Sequence, residues 1–412
     1  MPRSLRFVSI AARGAACGLL LAAPAVMAGP AHAATVPAPT AERTLVYQPG
    51  DFGTARWDLS GDGSRVVISA SVTKTPGGTR PRSEISVVDT ATGQRQVFRT
   101  PGSQYSPGDG GLSADGRLLA WTTATVRRTG KDTQVVDPTT HVRDLDTGKV
   151  RSFPHFDGGL YRGSGAFLAG YAGPIKRRAK RGTSYVDELS IRQPKAVGVL
   201  DLASGKLVKL PGRSTHAKPQ QILAVRTDGG SVAWSQGKRC HVLTIATRKA
   251  VDLGPCGAFA GMELAADGSG VFVDSRGWFD PATGGALGAP LDLSLFDKNA
   301  SRMTMDGATP ADVSKVLVTC NPGDGPAGDD DWMGVRRPYL LDRATRLYTP
   351  VAGLNDSIED GFPDSGTSFE SGDTILTHDG SQIFWADGGH VWRVSAAATG
   401  PAGPLPADCD DR

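Results

Sequence analysis

The chain has 412 residues and a formal net charge of +3. All of that excess lies in the first 33 residues, which hold three Arg and no acid; beyond them Lys and Arg fall from 45 to 42 against 42 Asp and Glu, so bulk charge gives no argument for a nucleic-acid partner. No segment reaches the roughly 18 apolar residues that a membrane span needs, and no transmembrane segment is expected.

Taken in chain order, residues 1–33 read as a signal peptide. Arg3, Arg6 and Arg13 give a positive start, "AACGLLLAAPAVMA" is apolar, and Ala31 to Ala33 offers the small-x-small site of a signal peptidase. Cleavage near Ala33 makes the mature chain secreted or extracytoplasmic. Cys17 precedes most of the apolar run, which argues against lipid attachment, and the leader has no adjacent Arg pair, which favours general export. Residues 34–42 are read as a flexible linker and 401–412 as a tail.

Between them, residues 43–400 are repetitive. One half of the repeat is an Asp-Gly turn before an apolar run, seen at Asp62, Asp115, Asp228, Asp267 and Asp379 ("SADGRLLAWTT", "THDGSQIFWAD"). Asp-Gly suits a tight hairpin, and the β-branched and aromatic residues after it suit a buried strand. The other half is an Asp followed four residues later by Gly, at Asp89, Asp144, Asp201 and Asp280, with "DRATR" at Asp342 lacking the Gly. Joined, the halves give a four-stranded antiparallel unit.

This pattern resembles the TolB-type, WD40-like β-propeller, whose repeats carry Ser-Pro-Asp-Gly before an apolar run ending in an aromatic, then Asp-x-x-Thr-Gly. Trp121, Trp234 and Trp385 stand six residues after their Asp, where that aromatic belongs, although Pro is absent from every copy. The resemblance covers essentially the mature chain. It implies an all-β fold and a single propeller; counting the copies gives seven four-stranded blades, or six if the short fifth unit is an elaboration of a neighbour. Less regular blades fall at about Tyr161 to Leu210 and Met305 to Val351. The last, from about Thr374, runs out after "HVWRVSA", so Arg43 to Gln48 is expected to supply its outer strand and close the ring, which removes exposed edges.

Four cysteines remain after the leader. Cys240 and Cys256 lie symmetrically about Arg248 and are expected to face each other across a hairpin as a disulfide; Cys320 and Cys409 then pair by elimination and staple the tail to blade six.

The recurring turns occupy one rim of such a blade and the long irregular segments the other, where binding usually resides. On that rim Lys74, Arg80, Arg82, Arg127, Arg128, Lys176, Arg177, Arg178, Lys180 and Arg181 put positive charge on blades one to three; Asp324, Asp329, Asp330, Asp331, Asp356, Glu359, Asp360 and Asp364 put negative charge around blades six and seven. Arg80, Arg82, Arg127, Arg128, Lys176, Arg177, Arg178, Lys180 and Arg181 are the candidate binding residues. No cofactor is expected except calcium, for which Asp324, Asp329, Asp330 and Asp331 carry suitable oxygens without the spacing of an EF-hand loop.

Catalytic signatures are missing from the sequence: no G-x-S-x-G, no H-E-x-x-H, and no ligand spacing among the mature His residues. The leading expectation is a monomeric, noncatalytic binding scaffold that engages a protein or polymer of the cell envelope or extracellular space. The alternative is a propeller enzyme of lactonase, glycosidase or lyase type with its site at the central channel mouth; a purely structural, wall-retained protein is the third reading.

Overall fold

The computed structural model describes residues 44–47, 55–72, 82–100, 108–129, 132–160, 167–173, 176–178, 190–192, 196–215, 218, 220–226, 229–256, 262–265, 267–273, 276–287, 303–304, 315–320, 337–342, 345–351, 374–387, 390–397 and 400–404. Every regular element among them is a β-strand, and the strands form seven antiparallel sheets. These are the blades of a propeller.

The first sheet holds β2 (Ala55–Leu59), β3 (Arg65–Val72), β4 (Arg82–Asp89) and β5 (Arg95–Thr100). The second holds β6 (Gly108–Leu112), β7 (Leu118–Thr129), β8 (Asp132–Asp144) and β9 (Val150–Pro154), with two added strands, β12 (Lys176–Arg178) and β13 (Ser190–Arg192). The third is β10 (Phe156–Gly159), β11 (Phe167–Ala172), β14 (Ala196–Asp201) and β15 (Leu207–Lys209); the fourth is β16 (Gln220–Val225), β17 (Ser231–Gln236), β18 (Arg239–Thr244) and β19 (Lys249–Pro255). The fifth has three strands, β20 (Met262–Leu264), β21 (Val271–Val273) and β22 (Gly277–Phe279), and an isolated bridge from Phe279 to Ala286 at its outer edge. The short fifth unit is thus a sheet of its own. The sixth is β23 (Met303–Thr304), β24 (Lys315–Cys320), β25 (Arg337–Asp342) and β26 (Tyr348–Pro350); the seventh is β27 (Thr374–Leu376), β28 (Gln382–Asp387) and β29 (His390–Ser395), completed by β1 (Thr44–Tyr47).

The ring therefore closes as the sequence suggests. Thr44 pairs with Arg393, Leu45 with Trp392 and Tyr47 with Val391, all antiparallel. Two boundaries differ from the sequence reading. Blade three begins at Phe156, not Tyr161, because His155 alone, at a φ of 58°, turns the chain from β9 into β10; blade six begins at Met303.

The repeat motif dictates its turn through local hydrogen bonds. In blade two the Ser113 hydroxyl donates to Asp115 Oδ1 at 2.6 Å, Arg117 N–H donates to the same oxygen at 3.0 Å, and Leu118 N–H donates to Ser113 Oγ at 2.8 Å. Ser60–Asp62 and Thr377–Asp379 repeat this arrangement. Only the Gly takes positive φ, 65° at Gly116, so the Asp serves as an acceptor for its own turn. In the other half, Asp144 Oδ1 accepts from Asp146 N–H at 3.1 Å and Thr147 N–H at 2.9 Å before Gly148 at a φ of 71°.

The core lies between sheets, where flat apolar faces stack. Leu59, Val66 and Ile68 of blade one meet Ile375, Phe384 and Val391 of blade seven; Val67 and Ile85 meet Leu112 and Leu119 of blade two. Further clusters join blade two to three, three to four, four to five and six to seven. Each blade is stabilised mainly by its neighbours, which is why closure by β1 matters.

Cys240 and Cys256 form a disulfide with Cα atoms 5.2 Å apart. The pairing follows the sequence expectation but the two do not face each other. The hairpin closes between Thr244 and Lys249, ahead of Arg248, so that even after a bulge that passes over Leu253 Cys240 stands opposite Gly254, and Cys256 N–H bonds to Lys238 C=O beyond the end of β19. Cys409 lies outside the described residues. The tail nevertheless returns to blade six, where Gly403 and Tyr348 exchange both backbone hydrogen bonds.

Candidate binding face

The two turn motifs share one rim. Thr90 N–H donates to Ser64 C=O at 2.9 Å and Thr90 Oγ1 to Gly63 C=O at 2.7 Å, tying the third turn of blade one to its first; Leu145 to Arg117, Ile245 to Gly230 and Ala396 to Ser381 do the same in blades two, four and seven. The connection between the two middle strands of each blade then leaves from the opposite rim.

On that opposite rim the sequence reading needs correction. "ATVRRTGKDTQVVDPTT" reads as an irregular loop, yet it is the distal part of a β-hairpin made by β7 and β8, of 12 and 13 residues. Its alternation of Val and Thr with polar residues suits a pleated strand. β7 is about 13 Å longer than the eight-residue β3 at roughly 3.3 Å per residue. Likewise "AGPIKRRAKRGTSYVDELSIRQPK" of blade three contains β12 and β13, which pair with each other and add to β8 of blade two.

This union brings distant basic segments to one sheet. Arg127 pairs with Gln134 and Arg128 with Thr133 across β7 and β8; Arg178 pairs with Gln134 from the other side, and Arg177 with Val135. Positions 127, 134, 178 and 190 thus form one row, and positions 176 and 192, paired with each other, form the next row two residues along. By the two-residue period of a strand both rows belong to one side of the sheet. Positions 127, 176, 178 and 192, all basic, fall in these two rows, with backbones spanning about 16 Å at roughly 4.8 Å between strands.

Arg192 escapes a reading that looks only for runs of like charge; its signal is the "SIR" segment able to pair with "KRR". Arg82 opens β4 opposite Val72, in a different blade from the other candidates. Arg80, Lys180, Arg181 and Lys74 lie outside the described residues, as do the acidic positions Asp324, Asp329, Asp330, Asp331, Asp356, Glu359, Asp360 and Asp364. Among the described residues no group of three His, Cys, Asp or Glu is placed to hold a metal.

His141 and His241 are explained by cross-strand packing. His141 stacks on Trp121 with ring centroids 5.2 Å apart, its Nε2 lies 2.8 Å from Thr123 Oγ1 and its Nδ1 2.8 Å from Ser152 Oγ. His241 stacks on Trp234 at 5.0 Å and stands opposite Asp252, which Arg239 holds through Nε at 2.8 Å and Nη2 at 2.6 Å. Burial pushes both imidazoles below their ordinary pKa, with Asp252 opposing the effect at His241. Both rows tie the aromatic that ends the Asp-Gly run to the next strand.

No protein-family model matches the chain, and no curated protein matches it. Among solved structures, the chain is similar to the WD40 repeats of RRP9 (10% identity, 86% of this chain and 97% of that one, TM-score 0.44). It is also similar to TolB from Acinetobacter baumannii (15% identity, 64% and 50%, TM-score 0.31) and to an oligogalacturonate lyase in complex with manganese (11%, 87% and 94%, TM-score 0.34). At these values the likenesses concern the fold alone.

Proposed function

We propose that the chain is an exported, noncatalytic binding propeller that engages an anionic protein or polymer of the cell envelope or extracellular space through the sheet formed by β7, β8, β12 and β13. The observation that carries this is the pairing of β12 with β8, which sets Arg178 and Arg127 on either side of Gln134. Segments about fifty residues apart in sequence are thus joined in one sheet with basic positions gathered on it. Arg forks recognise carboxylate or phosphate in a bidentate manner, so such a grouping suits an anionic ligand. Export is supported by the leader pattern and by the Cys240–Cys256 disulfide, which suits an oxidising compartment.

The test is affinity capture from envelope extract and culture medium. The mature chain is used beside a variant with Arg127, Lys176, Arg178 and Arg192 changed to Gln. A partner recovered by the first and lost by the second supports the reading; equal recovery by both contradicts it.

A further inference from the structure

The turn rim holds an open cleft of about 380 Å3 between blades two and three, at the end of β7 and β8 away from the hairpin tip. Its walls carry Arg117, Lys149 and Arg151, and Leu118 and Leu202 contribute to its floor. Asp144 also lines it, paired with Arg117 at 3.3 Å and held in the anionic form foremost by the N–H of Thr147. Arg151 is fixed by donating through Nη1 to Leu202 C=O, so one cation is anchored across the blade junction. Leu145 N–H donating to Arg117 C=O at 2.9 Å locks the two turns that form the blade-two wall. The Lys149 ammonium has no ion pair or hydrogen-bond partner among the described residues. Three cations thus line the cleft with the Asp144 carboxylate around an apolar floor, and Asp201 lies near enough to Arg151 to interact with it.

We infer that this cleft binds a small organic anion, its phosphate or carboxylate meeting Lys149 with Arg117 and Arg151, and its apolar body resting on Leu118 and Leu202. A preformed cleft with an apolar floor and a few convergent charges is the ordinary build of a small-molecule site. The apolar floor selects an organic anion over a bare inorganic one, because only the former buries surface there.

Calorimetric titration of the mature protein with phenyl phosphate tests this, beside inorganic phosphate, phenol, and the variants Lys149→Ala and Lys206→Ala. Both lysines are exposed, so neither change threatens folding. The expected result is saturable one-to-one binding of phenyl phosphate, at least about tenfold tighter than inorganic phosphate or phenol, weakened about tenfold or more by Lys149→Ala and unchanged by Lys206→Ala. Absence of saturation, equal binding of either fragment, or an unaltered affinity in Lys149→Ala would overturn the inference.

Discussion

The guanidinium of Arg95 lies over the ring of Tyr47, 5.5 Å from its centroid, and so joins the first blade to the strand that closes the last one. Arg95 is itself held by Glu84 Oε1 and Ser86 Oγ, both at 2.8 Å. Tyr47 is 5% exposed, packs with the core shared by blades seven and one, and has a hydroxyl without a partner among the described residues. Ring closure thus rests on a four-residue strand anchored at its last residue.

Two substitutions at Tyr47 separate its contributions. Tyr47→Ala removes a buried aromatic and should cost about 3–5 kcal/mol. Tyr47→Phe removes only a hydroxyl that is buried and unpaired, and should be neutral or slightly stabilising. Urea denaturation of both variants reads the difference; similar losses in both would show that the hydroxyl, not the packed ring, anchors the strand.

The worn turns offer stabilising changes. Arg248 and Arg346 adopt φ values of 55° and 60°, where other copies of the turn place Gly. A side chain in the left-handed region costs roughly 1–2 kcal/mol, partly offset by the greater freedom of Gly in the unfolded chain. Arg248→Gly should therefore raise stability by about 0.5–1 kcal/mol, and the reverse change, Gly93→Ala, should lower it by about 1 kcal/mol although a Cβ there would meet no atom within 4 Å. Thermal melts of the two variants should move in opposite directions.

How much of this was legible in the sequence depends on how local the cause is. Ser113, Asp115 and Gly116 fix their turn by bonds within six residues, so the repeat and the blade could be read directly. The Cys240–Cys256 pair was legible as a pair, but its offset was not, because that depends on the hairpin closing between Thr244 and Lys249 and not about Arg248. Arg127 and Arg178 looked like loop charge: the strand of Arg127 extends a hairpin within its own blade, and that of Arg178 depends on a partner strand supplied by another blade. The cleft is hidden for the same reason, since Arg151 and Leu202 meet only when blades two and three stack.

Stability should fall on mild acidification. The folded protein keeps His141 and His241 below their ordinary pKa of 6.5, so the unfolded chain binds protons more readily and stability drops as pH falls from 6.5 through the lowered values. Asp115, Asp144 and Asp252 are shifted below 3.8 and do not titrate in that window. Melting temperature should decrease between pH 7 and 5, and the decrease should shrink in a His141→Asn, His241→Asn double variant. A slope unchanged in that variant would assign the effect elsewhere.

Removing the disulfide tests the blade-four hairpin. It closes a separation of 16 residues, for which loop-closure reasoning gives about 3 kcal/mol. The Cys240→Ser, Cys256→Ser variant should lose roughly that much in denaturant titrations, and the mature protein should show no free thiol at these positions in mass spectrometry after alkylation. A free thiol at Cys240 would contradict the pairing.

The central claim is that the β7, β8, β12 and β13 sheet is a binding face for anions. The most direct measurement is the affinity of the mature protein for a long polyphosphate chain across a range of salt concentrations, beside the variant with Arg127, Lys176, Arg178 and Arg192 changed to Gln. The account predicts binding that weakens steeply with salt and a clearly shallower salt dependence in the variant, as fewer counterions are released. Equal affinity and equal salt slope for the two proteins would contradict it.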